Sequence, residues 1–168
     1  MTERELLRRR AARVLVLDPA DRLLLLRGID PASPERQFWF TVGGGVEPGE
    51  TARAGAVREL SEETGLVVAE ADLVGPVFSD DSAFAFDRYW IEQSNEFFAV
   101  RVEPTEMRPA RLEATEVASI QGSAWWTLEQ LRDHEAGRAH DGPGRRGETV
   151  YPVALAEVLA SALLAMPE

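Results

Sequence analysis

The stretch from residue 43 to residue 66, GGGVEPGETARAGAVRELSEETGL, constrains this chain more than any other. Three glycines, Gly43, Gly44 and Gly45, follow an aromatic strand-like run, Phe38 to Val42. A helix is then framed by its own caps. Thr51 is suited to accept a hydrogen bond from the first helical turn, and Gly65 can take the left-handed conformation that ends a helix. On a wheel of about 100° per residue, Glu59, Glu62 and Glu63 share one narrow arc. Ala52, Gly55 and Ala56 lie on that face one or two turns earlier, and their small side chains leave room for a ligand above the carboxylates. Ala54, Val57 and Leu60 point the other way, toward a core.

A solvated acidic face is the commonest meaning of such a charge run, but this helix is poorly built for stability. Glu59 and Glu63 are like charges at i, i+4. Glu62 and Glu63 oppose the macrodipole in the last turn, at a cost of a few tenths to about 1 kcal/mol each. Gly55 costs about 1 kcal/mol against Ala inside a helix. Clustered carboxylates with no cysteine and only two histidines in the chain form an all-oxygen donor set. That chemistry suits Mg²⁺ or Mn²⁺ rather than zinc. A bound divalent ion would also let an acidic protein accept a polyphosphate, because it inverts the local charge.

The stretch resembles the Nudix box: Gly44, five residues, Glu50, seven residues, Arg58-Glu59, Leu60, one residue, Glu62-Glu63, one residue, Gly65, Leu66. No position departs from the pattern. Seven positions demand one residue type, so a chance match is on the order of one in ten million per register at background frequencies. The resemblance implies an α+β Nudix fold, a mixed β-sheet sandwiched between helices with the box as loop-helix-loop. It implies hydrolysis of a nucleoside diphosphate linked to another moiety. By the same resemblance Glu59, Glu62 and Glu63 are metal ligands, joined by the carbonyl of Gly43. Arg58 orients the carboxylates, Glu50 ties the loop to the helix, and Gly44 and Gly45 let the loop pass close to phosphate. The general base is Glu59 or a carboxylate of a later loop, Glu113 or, preferably, Glu116.

Substrate signatures are missing. The region where some subfamilies carry a proline or a tyrosine holds Asp80, Asp81 and Ser82, with Pro76 too early and Tyr89 too late. The upstream signature of coenzyme A hydrolases is also absent. Phe38, Trp39, Phe40 and Tyr89 are candidates to stack a base, although an aromatic in a strand is more often core. Arg138, Arg145 and Arg146 are candidates to touch phosphate. His134 and His140 read as surface residues.

The rest of the chain bounds the class. Its 168 residues suit one domain over 1–168. A net charge of -11 with no basic face argues against duplex nucleic acid. No apolar run is long enough to span a bilayer, and MTERELLRRR lacks the apolar segment of a signal peptide. A cytoplasmic enzyme with a small-molecule partner is expected, with a homodimer left open.

Strands are expected at Arg13–Leu17, Arg22–Arg27 and Phe38–Val42, then near Leu73–Phe78, Phe84–Ile91 and Phe97–Val102, and last at Ala124–Trp126. Residues Gly28–Arg36 read as a polar loop. Trp125 and Trp126, as strand neighbours, face opposite ways. A short helix follows Thr127, and a closing helix opens at Pro152 with Leu155, Val158, Leu159 and Ala162 on one face. A Nudix-like domain that senses a nucleotide without cleaving it is the alternative, and the intact carboxylates speak against it.

Overall fold

The computed structural model describes residues 3–104, 106–108 and 119–168. Its elements run β1 (Glu5–Leu17), β2 (Leu23–Asp30), β3 (Ser33–Gly45), α1 (Ala52–Thr64), a 3₁₀ turn (Glu70–Asp72), β4 (Val74–Phe86) and β5 (Tyr89–Arg101). After these come β6 (Ile120–Trp126), α2 (Leu128–Glu135), β7 (Thr149–Tyr151) and α3 (Leu155–Ala165). The strands form one mixed sheet in the order β4-β5-β1-β2-β3-β7, with β6 on β2. β1 runs parallel to β5 and β3 parallel to β7, and the other pairings are antiparallel.

Runs such as VLVL and LLLL arise because the sheet is covered on both faces. Val14 and Val16 of β1, with Leu24, Leu26 and Val42, meet Ala52, Ala56 and Leu60 of α1. The alternate residues Leu15 and Leu17, with Leu23 and Leu25, meet Leu131 of α2 and Leu155, Leu159 and Ala162 of α3. The α+β sandwich expected from the sequence is therefore present.

β1, β2 and β3 pair in a closed ring. Leu17 opposes Leu23, Leu25 opposes Thr41, and Arg13 opposes Gly43. This crossing carries the three glycines from the edge of the β2–β3 hairpin onto the centre of β1, beneath α1.

Several elements differ from expectation. Residues Gly28–Arg36 are no loop. β2 runs to Asp30, whose carboxylate accepts from the Ala32 amide at 2.9 Å, and β3 resumes at Ser33. An Asx turn thus replaces a long connection, and Pro34 sits where β3 has no further strand outside it. The expected strand Phe84–Ile91 contains the turn of a long β4–β5 hairpin. Asp87 adopts a left-handed conformation there, φ 53°, and its amide donates to Asp30 Oδ1 at 2.9 Å. Aspartate tolerates that conformation, which apolar patterning does not reveal. Pro152 precedes the closing helix rather than opening it. The chain turns at Ala154, φ 63°, before α3 starts at Leu155.

Trp126 is fully buried on the α3 side, and Trp125 packs at the margin of the α1-side core, so the two do face opposite ways. Among the described residues, no helix is long and apolar enough to cross a membrane.

Candidate active site

The site is built where α1 lies over the glycine run. Thr51 Oγ1 accepts from the Ala54 amide at 3.1 Å, and Gly65 ends the helix at φ 79°. Ala52 and Ala56 do not border a ligand space as expected. They pack into the core, and their small size lets α1 approach the sheet. Gly55 lies beneath Glu50, since a Cβ there would stand 2.8 Å from Glu50 Oε1. The helix turns Glu59 and Glu63 inward, and both are buried.

Arg58 organises the carboxylates. Its Nε and Nη2 donate to Glu50 at 2.9 and 3.0 Å as a fork, and Nη2 also reaches the Gly45 carbonyl at 2.8 Å. Its Nη1 donates to Glu59 at 3.0 Å and to Glu62 at 3.1 Å. The Glu50 bonds, foremost, raise the guanidinium above its ordinary pKa despite partial burial, with Glu59 adding to the effect. In return Arg58 holds the Glu50 carboxyl below its ordinary range. Glu50 also accepts from the Glu47 amide at 3.1 Å, so it joins loop to helix.

Glu63 accepts from the Gly43 amide at 3.1 Å. Gly44 is fitted against Glu59, where a Cβ would stand 2.6 Å from Oε1. Gly45 contributes the carbonyl bound by Arg58. The three glycines therefore admit, respectively, a backbone bond to Glu63, the body of Glu59 and the head of Arg58. Among the described residues, no three His, Cys, Asp or Glu side chains close on a common point. The cation seen between Glu59 and Glu62 is the Arg58 guanidinium itself.

Arg13 was not singled out from the sequence. It projects from β1 on the side away from α1, and its Nη1 donates to the Gly43 carbonyl at 3.0 Å and the Thr41 carbonyl at 3.3 Å. Burial pushes its guanidinium below the ordinary value, and the charges of Glu63, Glu59 and Asp80 oppose that. The signal lay in the alternation: Arg13 shares a face with Leu15 and Leu17, where a charge requires a partner. Arg53 was missed too. It donates to the Glu70, Leu73 and Gly75 carbonyls at 2.6–3.0 Å and lies over the Phe98 ring, tying α1 to the start of β4.

Beside Arg13 the same sheet face turns polar. Arg9 donates to Gln93, Gln93 to Asn95, and Asn95 to Asp80 and Ser82, at 2.8–3.0 Å. Gln93 and Asn95 are buried in this ladder.

The remaining candidates divide. Trp39 is only 4% exposed, stands edge-on to Trp126 and donates Nε1 to Glu148 at 2.8 Å, so it offers no face to a base. Phe40 packs against the α1-side core. Tyr89 is covered by Arg88 at the β4–β5 turn. Phe38 stays half-buried in β3, between Gly28 of β2 and Thr149 of β7. Arg138 pairs with Asp133. His134 and His140 are not plain surface residues. Their ring nitrogens lie 2.9 Å apart, both rings contact Trp126, and His134 Nε2 meets the Glu148 carbonyl. Glu148 is buried enough to raise its pKa, but the Arg145 amide, Trp39 and Arg27 outweigh that and keep it low. Glu113 and Glu116 fall outside the described residues.

A family model, the NUDIX domain, matches residues 7–145. The chain belongs to the Nudix family. It is 36% identical over 77 residues to a Bacillus subtilis (strain 168) protein named, provisionally, as an 8-oxo-dGTP diphosphatase. That match spans 44% of this chain and 48% of the relative. An uncharacterized Nudix hydrolase of the same organism, YvcI, is 38% identical over 60 residues, covering 36% of this chain and 35% of its own length. The chain thus spans half or less of the curated relatives it matches. Among solved structures, a MutT NUDIX hydrolase from Burkholderia pseudomallei superposes with a TM-score of 0.60 at 18% identity, over 92% of this chain and 98% of that one. At such identity the likeness is one of fold.

Proposed function

We propose that this protein is a divalent-cation-dependent hydrolase that cleaves the diphosphate linkage of a nucleoside diphosphate joined to a second moiety. One observation carries the reading. Glu59 and Glu63 are buried against a glycine loop that leaves no room for a side chain at Gly44, and the Arg58 guanidinium bridges Glu59 to Glu62. The donor set is all oxygen and fits a hard cation. Glu59, Glu62 and Glu63, with the Gly43 carbonyl, would hold Mg²⁺ or Mn²⁺ once Arg58 Nη1 and Arg13 yield those oxygens. A cation bound there supplies neutralisation of phosphate charge and a more acidic water.

The chain's own groups do the rest. Arg58, fixed by its fork to Glu50, holds the carboxylates in register. Glu59 orients the attacking water or takes its proton, with Glu116 the other candidate base. Water oxygen bonds to phosphorus, the bridging P–O bond breaks, and both products end in phosphate. Substrate reaches the site from solution as a small molecule, which suits a cytoplasmic enzyme. The name of the Bacillus subtilis relative suggests a nucleoside triphosphate as one substrate to try.

A phosphate-release screen over nucleoside triphosphates and nucleoside diphosphates with linked sugars or nucleosides, with Mg²⁺ and with excess EDTA, tests the reading. Release that needs the cation and fails in Glu63→Gln supports it. Nucleotide binding with no release from any compound would instead make the protein a sensor.

A further inference from the structure

Two features that the box does not use, some 110 residues apart in the chain, meet at the other end of β3. Arg36 and Phe38 of β3 line a cleft of about 500 Å³ together with Arg145, Arg146 and Tyr151. Arg146 and Tyr151 lie beyond the stretch that the family model matches. β7 brings them there by pairing parallel with β3, Thr149 opposite Phe38 and Tyr151 opposite Phe40.

The charge at this cleft runs against that of the whole chain, which is -11. The guanidinium groups of Arg36, Arg145 and Arg146 have no acidic partner among the described residues. Glu148, at the base, is already taken by Arg27, Trp39 and the Arg145 amide, which leaves Glu35 as the one acidic group on the wall still uncommitted. In the same lining the Phe38 and Tyr151 rings stand edge to face, centroids 5.9 Å apart. Guanidinium forks match phosphate oxygens, and exposed aromatic faces match a base.

We infer that this cleft binds a nucleotide, its phosphate on Arg36, Arg145 and Arg146 and its base against Phe38 and Tyr151. Six residues of extended strand separate Phe38 from Gly44, about 20 Å. A mononucleotide held by the box does not cover that distance. The occupant is therefore either the second nucleotide of a long, two-ended substrate or a free nucleotide. The two share one chemistry.

Calorimetric titration of AMP in EDTA tests binding without any turnover, so its failure is separate from failure of the hydrolase reading. Wild type is expected to bind. The exposed pair Arg145→Ala/Arg146→Ala is expected to weaken AMP at least tenfold at an unchanged melting temperature, while Glu62→Gln binds as wild type does. No AMP binding by wild type at millimolar concentration, equal binding by the arginine variant, or loss of binding in Glu62→Gln would overturn the inference. If a dinucleoside polyphosphate is cleaved, a tenfold rise in KM with unchanged kcat in the arginine variant identifies the two-ended substrate. Unchanged KM with AMP binding lost identifies the free nucleotide.

Discussion

A Cβ on Gly44 would stand 2.6 Å from Oε1 of Glu59, so the glycine is where the carboxylate fits. The φ of Gly44 is one that other residues adopt, and the obstacle is steric alone. Gly44→Ala is expected to displace Glu59 and lower turnover by about 100-fold, the effect of a misplacement near 1 Å. Gly122→Ala, where an added Cβ meets nothing within 4 Å, is the control and is expected to keep wild-type turnover. Equal activity of the two variants would remove Glu59 from the machinery.

Glu63→Gln keeps an oxygen for the Gly43 amide but loses the charge. Turnover is expected to fall about 100-fold or more, equivalent to ~3 kcal/mol of barrier. The metal-free melting temperature is expected to move little, because one bond is kept and one like-charge neighbour is removed. Added Mg²⁺ is expected to raise the melting temperature of wild type more than that of the variant, since a ligand of the folded state stabilises by mass action. Identical Mg²⁺ responses would place the cation elsewhere or nowhere.

The fork between Arg58 and Glu50 predicts a pH dependence. The folded carboxyl lies below its ordinary value of 4.5, so its contribution is complete above that pH. Below it the unfolded chain takes up the proton first, and the contribution drains away as pH falls through the folded value. Thermal melts in EDTA from about pH 6 down to 3 are expected to show a shallower acid decline for Glu50→Gln than for wild type. Parallel curves would mean the fork adds nothing to stability.

Gly65 ends α1 at φ 79°, and an added Cβ would stand 2.1 Å from the Arg108 carbonyl oxygen. The Arg108 amide meanwhile donates to the Thr64 carbonyl at 2.8 Å, so this strand of chain cannot simply retreat. Gly65→Ala is expected to cost more than about 1 kcal/mol. Urea unfolding would register it as a lower midpoint at unchanged slope, and an unchanged midpoint would show that the segment yields freely.

Local chemistry made α1 readable in advance. Thr51, Gly65 and the spacing of Glu59, Glu62 and Glu63 are statements about neighbours one to four residues apart, and so are its caps and its acidic arc. The α3 face of Leu155, Val158, Leu159 and Ala162 was legible for the same reason. The β4–β5 turn was not, because the left-handed Asp87 is held by Asp30, 57 residues away.

The sequence by itself determined that a capped helix would carry three carboxylates beside a glycine loop. Only the tertiary structure decided which face of that helix is core. Ala52 and Ala56 look like room for a ligand on a wheel, but the sheet lies against them. The ring of β1, β2 and β3 set Arg13 behind Gly43, and the short β7 brought Arg145 and Arg146 to Phe38. These are pairings between segments far apart in the chain. Their free energy comes from burying both faces of one sheet, and no local pattern encodes which partners that burial brings together.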